Sequence, residues 1–389
     1  VRNRGNTSVE QLLVLGAIAV LGSASFGAVG LSMRRAIGGD APGAGTDSVR
    51  AAAEGASAAV LSSQAGVIDR LAEAGIRFGR AVSRTNAAGK QVVVPDLWRA
   101  GRPLPGDAAF DDWARSVKSA AQRFVIAQDI DGTIADNHIP LLLELEQRHG
   151  LPTGSLSGRL DYDWFFKDIN DWVGKPIVES FGRDIVPIFQ KLMTDGTYEN
   201  LTPYPGSAAT LHRMHDLGAE VAYVTDRVGT PWPARAAGST VPWLEGQGFP
   251  LERVSMHFGK NKRRVAKSMS VALDDGPENI AMYLEEGVPV LAPAQKYSEG
   301  LGVPRYLSQY QLEEALLRLL ETDGDPVARA AALKELTLES DAHWIPKAAP
   351  GEPDFAQQLM RNPDVLAAGT SPLEVVLKRL RELGELDGE

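Results

Sequence analysis

Phe124-Val125-Ile126-Ala127-Gln128-Asp129-Ile130-Asp131-Gly132-Thr133 is the stretch on which the fold turns. Its apolar start has the length and character of a buried strand, and two carboxylates follow where that strand would end. Asp129 and Asp131 alternate onto one side of extended backbone. Gly132 permits a sharp turn, and Thr133 adds a hydroxyl and a main-chain donor. Acids placed this way point to phosphoryl chemistry. Asp-X-Asp also serves as a turn, a helix cap or a solvated surface pair, so the rest of the chain has to choose.

Further apolar segments at 220–226, 254–258, 271–275 and 288–292 alternate with helical stretches. That rhythm predicts an α/β fold with a parallel sheet. In open sheets of this kind ligands gather beyond the carboxyl ends of the strands. The chain offers several groups there. Val221-Ala222-Tyr223-Val224 ends in Thr225, whose hydroxyl could hold a phosphate oxygen. Lys260 and Lys262 open a helix running to Met269, and either ammonium could neutralise a nucleophile and a bound phosphate, although surface lysines without such a role are far commoner. Val271-Ala272-Leu273 leads into Asp274-Asp275-Gly276-Pro277, paired acids that repel unless hydrated, protonated or bound to a cation. Hard oxygen ligands favour magnesium.

In this order, Asp129 and Asp131, Thr225, a lysine and Asp274-Asp275 resemble the motifs of the haloacid dehalogenase superfamily of phosphatases, over 123–320. The resemblance implies a Rossmann-like parallel sheet with an inserted cap. It implies Asp129 as the nucleophile that forms an aspartyl-phosphate and Asp131 as general acid and base. Thr133, Thr225 and Lys260 or Lys262 would hold the phosphate, Lys262 matching the helix start and Lys260 the distance to the acidic pair. Mg2+ would be held by Asp129, the Asp131 carbonyl and one or both of Asp274 and Asp275.

The interval 134–217 resembles the mostly helical cap that chooses substrates in this superfamily. Its Tyr162, Trp164, Phe165, Phe166 and Trp172 could stack on a planar group, or they form the cap's own core. His138, His149, His212 and His215 lack metal-ligand spacing and are read as structural or exposed. Thr202-Pro203-Tyr204-Pro205-Gly206 and Thr225-Asp226-Arg227 resemble the 5′-deoxyribonucleotidase branch, and 234–244 resembles a helix of polynucleotide 3′-phosphatases. Arg227 either binds a second anionic group or makes a surface ion pair.

The 389 residues carry a formal charge of −10 and a pI near 5.3. This acidity disfavours long nucleic acid as a partner and leaves a small phosphorylated metabolite open. Without cysteine there is no disulfide, thiolate metal site or cysteine nucleophile.

At the N-terminus, 12–33 runs without a formal charge for about twenty residues, enough for a transmembrane helix; a buried helix or cleaved signal is the alternative. Gly5 followed by Glu10 ahead of this run resembles a type IV prepilin signal. That resemblance implies a single-pass membrane anchor, self-association through the helix and an extracytoplasmic domain, but Arg34-Arg35 weaken any charge-based orientation.

The expected organisation is a signal and membrane helix at 1–35, a linker and helical stalk at 36–107, a phosphatase domain at 108–322 with its cap at 134–217, and a helical C-terminal appendage at 323–389. The expected function is a magnesium-dependent phosphomonoester hydrolase, with nucleoside monophosphates as leading substrates. The competing expectations are a pilin-like structural or binding subunit, a polynucleotide 3′-phosphatase and a phosphotransferase.

Overall fold

Val92-Val93-Val94 and the Asn86-Ala87-Ala88-Gly89 turn make the first described unit, an antiparallel hairpin of β1 (Ala81–Thr85) and β2 (Gln91–Pro95). Asn86 Oδ1 accepts from the Ala88 and Lys90 amides, 3.1 and 2.9 Å away, and Gly89 takes the positive φ the turn requires. The sequence expectation placed these residues in the linker and helical stalk at 36–107. β-Branched strand residues on either side of an Asn-to-Gly turn override it. The computed structural model describes residues 81–95, 98, 101–158, 187, 188, 190–227, 234–252, 254–259, 261–340, 355–361 and 371–386. The expected membrane helix at 12–33 and the aromatic residues Trp164, Phe165 and Phe166 lie outside them. Among the described residues no helix is long and apolar enough to cross a membrane.

The core follows as alternating helices and strands. α1 (Phe110–Ala121) precedes β3 (Val125–Gln128); a short β4 (Ala135–Asp136) leads to α2 (His138–Arg148). After β5 (Thr202–Pro203) come α3 (Ser207–Leu217), β6 (Glu220–Thr225), α4 (Ala234–Gly246), β7 (Val254–Phe258) and a turn of helix, α5 (Arg263–Ala266). Then β8 (Val271–Leu273), α6 (Pro277–Glu285), β9 (Val290–Pro293), β10 (Arg305–Tyr306), α7 (Gln309–Glu321) and α8 (Pro326–Ser340) complete the alternation. The last described helices are α9 (Phe355–Arg361) and α10 (Pro372–Glu382).

Six strands form one all-parallel sheet in the order β10-β9-β8-β3-β6-β7. The chain starts in the middle with β3, runs outward through β6 and β7, then returns to build β8, β9 and β10 on the other side. The order therefore reverses between β3 and β8, where open α/β sheets place their ligand crevice. Strand composition follows from burial on both faces. Ile126, Val271 and Leu273 point into one cluster with helices α1, α3, α7 and α10. Their neighbours Ala127 and Ala272 point into another with Ile280 and Tyr283 of α6.

Two differences from the sequence expectation concern boundaries. Met214 and Leu217 of α3 pack in the same cluster as α1, so α3 belongs to the core, and the inserted part lies between β4 and β5, which pair antiparallel. Within the expected C-terminal appendage the described segments Pro326–Ser340, Phe355–Arg361 and Pro372–Glu382 are helical, but α10 is no appendage. Leu373, Val376, Leu377 and Leu380, spaced for one helix face, are buried in that cluster, and the buried Ser371 at its N-terminus bonds Glu313 of α7.

Candidate active site

The ends of three adjacent strands deliver the candidate groups. Asp129 follows β3, Thr225 closes β6, and Asp274 and Asp275 follow β8. The Asp129 amide donates to the Leu273 carbonyl at 2.9 Å, extending the β3–β8 ladder by one residue and fixing the first carboxylate against the other two. Asp129, Asp274 and Asp275 are buried and offer oxygens that all lie within 4.8 Å of one another.

Lys262 enters this cluster just before α5. It is 3% exposed, and its Nζ lies 2.9 Å from Asp129 Oδ1 and 2.8 Å from Asp274 Oδ2. Burial works against the ammonium, but Asp129 and Asp274 more than offset it, and its pKa is raised. Burial pushes the Asp129 carboxyl well above the usual range, against the pull of Lys262 and with the help of Asp274 and Asp275. Burial and then Asp274 push Asp275 up to about 7. Lys260 lies outside the described residues.

The second carboxylate of the opening motif faces elsewhere. Both Asp131 oxygens accept from Arg227, Oδ2 from Nε at 2.9 Å and Oδ1 from Nη2 at 2.6 Å. The Arg227 guanidinium stacks over Tyr198 and Trp243 at 5.2 and 5.4 Å from the ring centroids. Arg227 is 1% exposed, which corrects the expectation of a surface ion pair, and two of its nitrogens are committed to Asp131. It is a buried group that fixes Asp131. Thr225 is also buried, its hydroxyl accepting from the Arg227 amide at 3.3 Å.

Gly132 has φ +78°, and a Cβ built there would lie 2.7 Å from Asp275 Cγ. Both the backbone conformation and the space require glycine. Thr133 is fully buried, with its hydroxyl 3.3 Å from Asp275 Oδ1. Gly132→Ala is expected to cost at least about 1 kcal/mol in backbone strain alone and to displace Asp275, so denaturant titration should show the loss and calorimetry a weakened divalent-cation affinity.

A ring of polar residues, none of them expected at the site, surrounds the loop. Gln295, fully buried, donates to the Gly132 carbonyl at 2.9 Å and to Tyr204 Oη at 3.2 Å. Tyr297 donates to Asp275 Oδ2 and lies 3.0 Å from His138 Nε2, and His138 Nδ1 is 3.2 Å from Tyr204 Oη. Tyr204 belongs to the Thr202–Gly206 stretch. Nothing in the sequence marked Gln295 or Tyr297.

His138 is 2% exposed, and burial pushes its pKa down to about 3, so the ring is neutral in the fold. The unfolded chain takes up this proton near the ordinary value of about 6.5. The contribution of neutral His138 is thus full above about pH 6.5 and shrinks by up to ~1.4 kcal/mol for each pH unit below it. Asp275 slopes the other way, its raised pKa favouring the fold at lower pH. His138→Gln should therefore flatten the loss of stability between about pH 6.5 and 4 relative to wild type, read by urea titrations of the metal-free protein.

A divalent cation fits the donor set. Among the described residues three buried carboxylates face one ammonium, that of Lys262, an excess of negative charge that a hard cation would offset with the oxygen ligands magnesium prefers. The residues that would hold it are Asp129, Asp274 and Asp275.

No family model matches the chain, and no curated protein matches it. Among solved structures it is similar to CbbY from Rhodobacter sphaeroides in complex with phosphate, at 16% identity over 45% of this chain and 88% of that one, with a TM-score of 0.27. It is also similar to a phosphonoacetaldehyde hydrolase like protein from Oleispira antarctica, at 15% identity over 64% and 95% of the two chains, with a TM-score of 0.31. Likeness of that degree carries no functional argument, and the assignment of chemistry rests on the site.

Proposed function

We propose that the protein is a phosphomonoester hydrolase of the haloacid dehalogenase type that works through a phosphorylated Asp129. One observation supports this most. A carboxylate at the end of the first strand, at the reversal point of the sheet, shares one buried lysine with a carboxylate from the next strand. Such a group is placed as a nucleophile against an ammonium that stands ready for the phosphoryl oxygens.

In the first half-reaction an Asp129 oxygen attacks phosphorus, the bond to the ester oxygen breaks, and Asp131 supplies the proton to the departing alcohol. In the second, water attacks the phosphorus of the aspartyl-phosphate, Asp131 takes up the proton, and inorganic phosphate leaves with Asp129 restored. Lys262 and the Thr225 hydroxyl orient the phosphoryl group. Arg227 holds Asp131 by both oxygens, so proton transfer requires one of those bonds to give way. Magnesium at the three carboxylates would supply charge neutralisation during phosphoryl transfer.

The substrate we propose is a small monoester, nucleoside monophosphates first, supported by the Thr202–Gly206 and Thr225–Arg227 sequences and by the acidity of the chain. The uncharged run at 12–33 supports a membrane tether. The test is phosphate release from a panel of sugar phosphates and nucleoside 5′- and 3′-monophosphates, with magnesium and with chelator. Magnesium-dependent release from at least one monoester is expected. A folded, metal-binding protein that releases none would contradict the hydrolase function, and transfer to added alcohols would make it a phosphotransferase.

A further inference from the structure

We propose that Arg361, on helix α9 near the C-terminus, is a positioning residue that locks the hinge between the sheet and the inserted segment, and through it the Gly132 loop. The proposal rests on the phosphatase function above for its kinetic consequences, though not for its structural ones. The chain leaves the core through β4 and returns through β5, and these two strands pair with each other. They are the described connections of the insertion, so whatever grips both sets its angle to the catalytic carboxylates.

Arg361 grips both. Its Nε and Nη2 donate to the two oxygens of Asp136 on β4, at 2.6 and 2.9 Å. Its guanidinium lies 5.5 Å from the ring centroid of Tyr204, the residue that follows β5. Asp136 is 7% exposed, and Arg361 holds its carboxyl below the usual range although burial opposes it. A fork-to-fork pair with this little water around it fixes direction as well as distance. Asp136 in turn accepts from the His138 amide at 3.2 Å, tying the grip to the start of α2.

A second arm reaches the catalytic loop. Nη1 of Arg361 donates to Gln357 Oε1 at 2.6 Å and to the Gln357 carbonyl at 3.1 Å. Gln357, 1% exposed, donates to Gln295 Oε1 and, at 3.2 Å, to the Ala294 carbonyl. Gln295 then holds the Gly132 carbonyl and Tyr204 Oη. A helix 225 residues away in sequence from Asp136 thus touches the outgoing strand, the residue just after the incoming strand and, through two glutamines, the loop between Asp131 and Thr133. The helix buries apolar Ala356 and Met360, and beside them it makes buried, directional polar bonds that stabilise one geometry.

The experiment uses the whole chain with Arg361→Ala, and with Asp136→Asn/Arg361→Gln, which removes the pair without stranding a buried carboxylate. Hydrogen exchange reads the hinge without reference to activity, at the amides of Gly132 and Tyr204, which donate to Ala135 and Ile134. The Asp129 amide, bonded to Leu273, reports the sheet. Exchange should quicken at Gly132 and Tyr204 in both variants and stay at the wild-type rate at Asp129. With the best monoester, kcat should fall about 10- to 100-fold while magnesium affinity holds. Millimolar guanidinium should restore part of kcat in Arg361→Ala and none in Asp129→Asn. Unchanged exchange at both hinge amides, or an equal rise at Asp129, overturns the lock. If the wild type hydrolyses no ester, the phosphatase function fails on its own and the exchange result still decides the hinge.

Discussion

Asp129→Asn is expected to abolish turnover, by about 10⁴-fold or more, and to leave the protein at least as stable as the wild type. The kinetic half follows from the role: an amide has no anionic oxygen to form the bond to phosphorus, and loss of a nucleophile removes the covalent route altogether. The stability half follows from burial. Asp129 pays a desolvation cost that Lys262 only partly offsets, and Asp274 and Asp275 repel it. The amide removes that repulsion while Lys262 keeps Asp274 as its partner. Steady-state kinetics with the best monoester and a thermal melt check both halves. Residual turnover within tenfold of wild type would move the nucleophile elsewhere.

Lys262→Met should be damaging in both respects. The ammonium is the positive group in direct contact with Asp129 and Asp274, and its removal leaves buried carboxylates facing one another. Breaking a buried ion pair from one side costs about 3–5 kcal/mol. That loss should appear in urea titrations of the metal-free protein and shrink when magnesium is added, because a second source of positive charge reaches the same oxygens. Turnover should fall about 10²- to 10³-fold even with magnesium saturating, since a preorganised charge aimed at the phosphoryl oxygens is missing. A variant as stable as wild type without metal would mean that the cluster does not depend on Lys262 for its charge balance.

The parallel strands were legible because burial on both faces writes them as short apolar runs, and 124–128 and 271–273 read that way without ambiguity. The carboxylates at their ends were legible for the same reason: a charged pair directly after such a run has to be explained. Arg227 was visible as a residue but not as a buried one, since only the fold brings Tyr198 and Trp243 over its guanidinium. The hairpin at 81–95 was hidden by Gly89 and Pro95. Gly89 sits in the turn, and Pro95 sits at the strand end opposite Ala81, where a missing amide costs little. Gln295, Tyr297, Gln357 and Arg361 leave no periodic signal at all. Their meaning lies in bonds to residues far away in the chain, such as Arg361 to Asp136, and a lone polar residue in a helix or loop carries no mark of its partner.

The central claim is that Asp129 becomes phosphorylated. Wild-type protein quenched in denaturant during turnover and treated with borohydride should yield, in the peptide covering 124–133, homoserine at Asp129, because borohydride reduces an acyl phosphate and leaves a free carboxylate alone. Asp131 in the same peptide should remain aspartate. Homoserine at Asp131, or an unmodified peptide from enzyme caught releasing phosphate at steady state, would contradict the account.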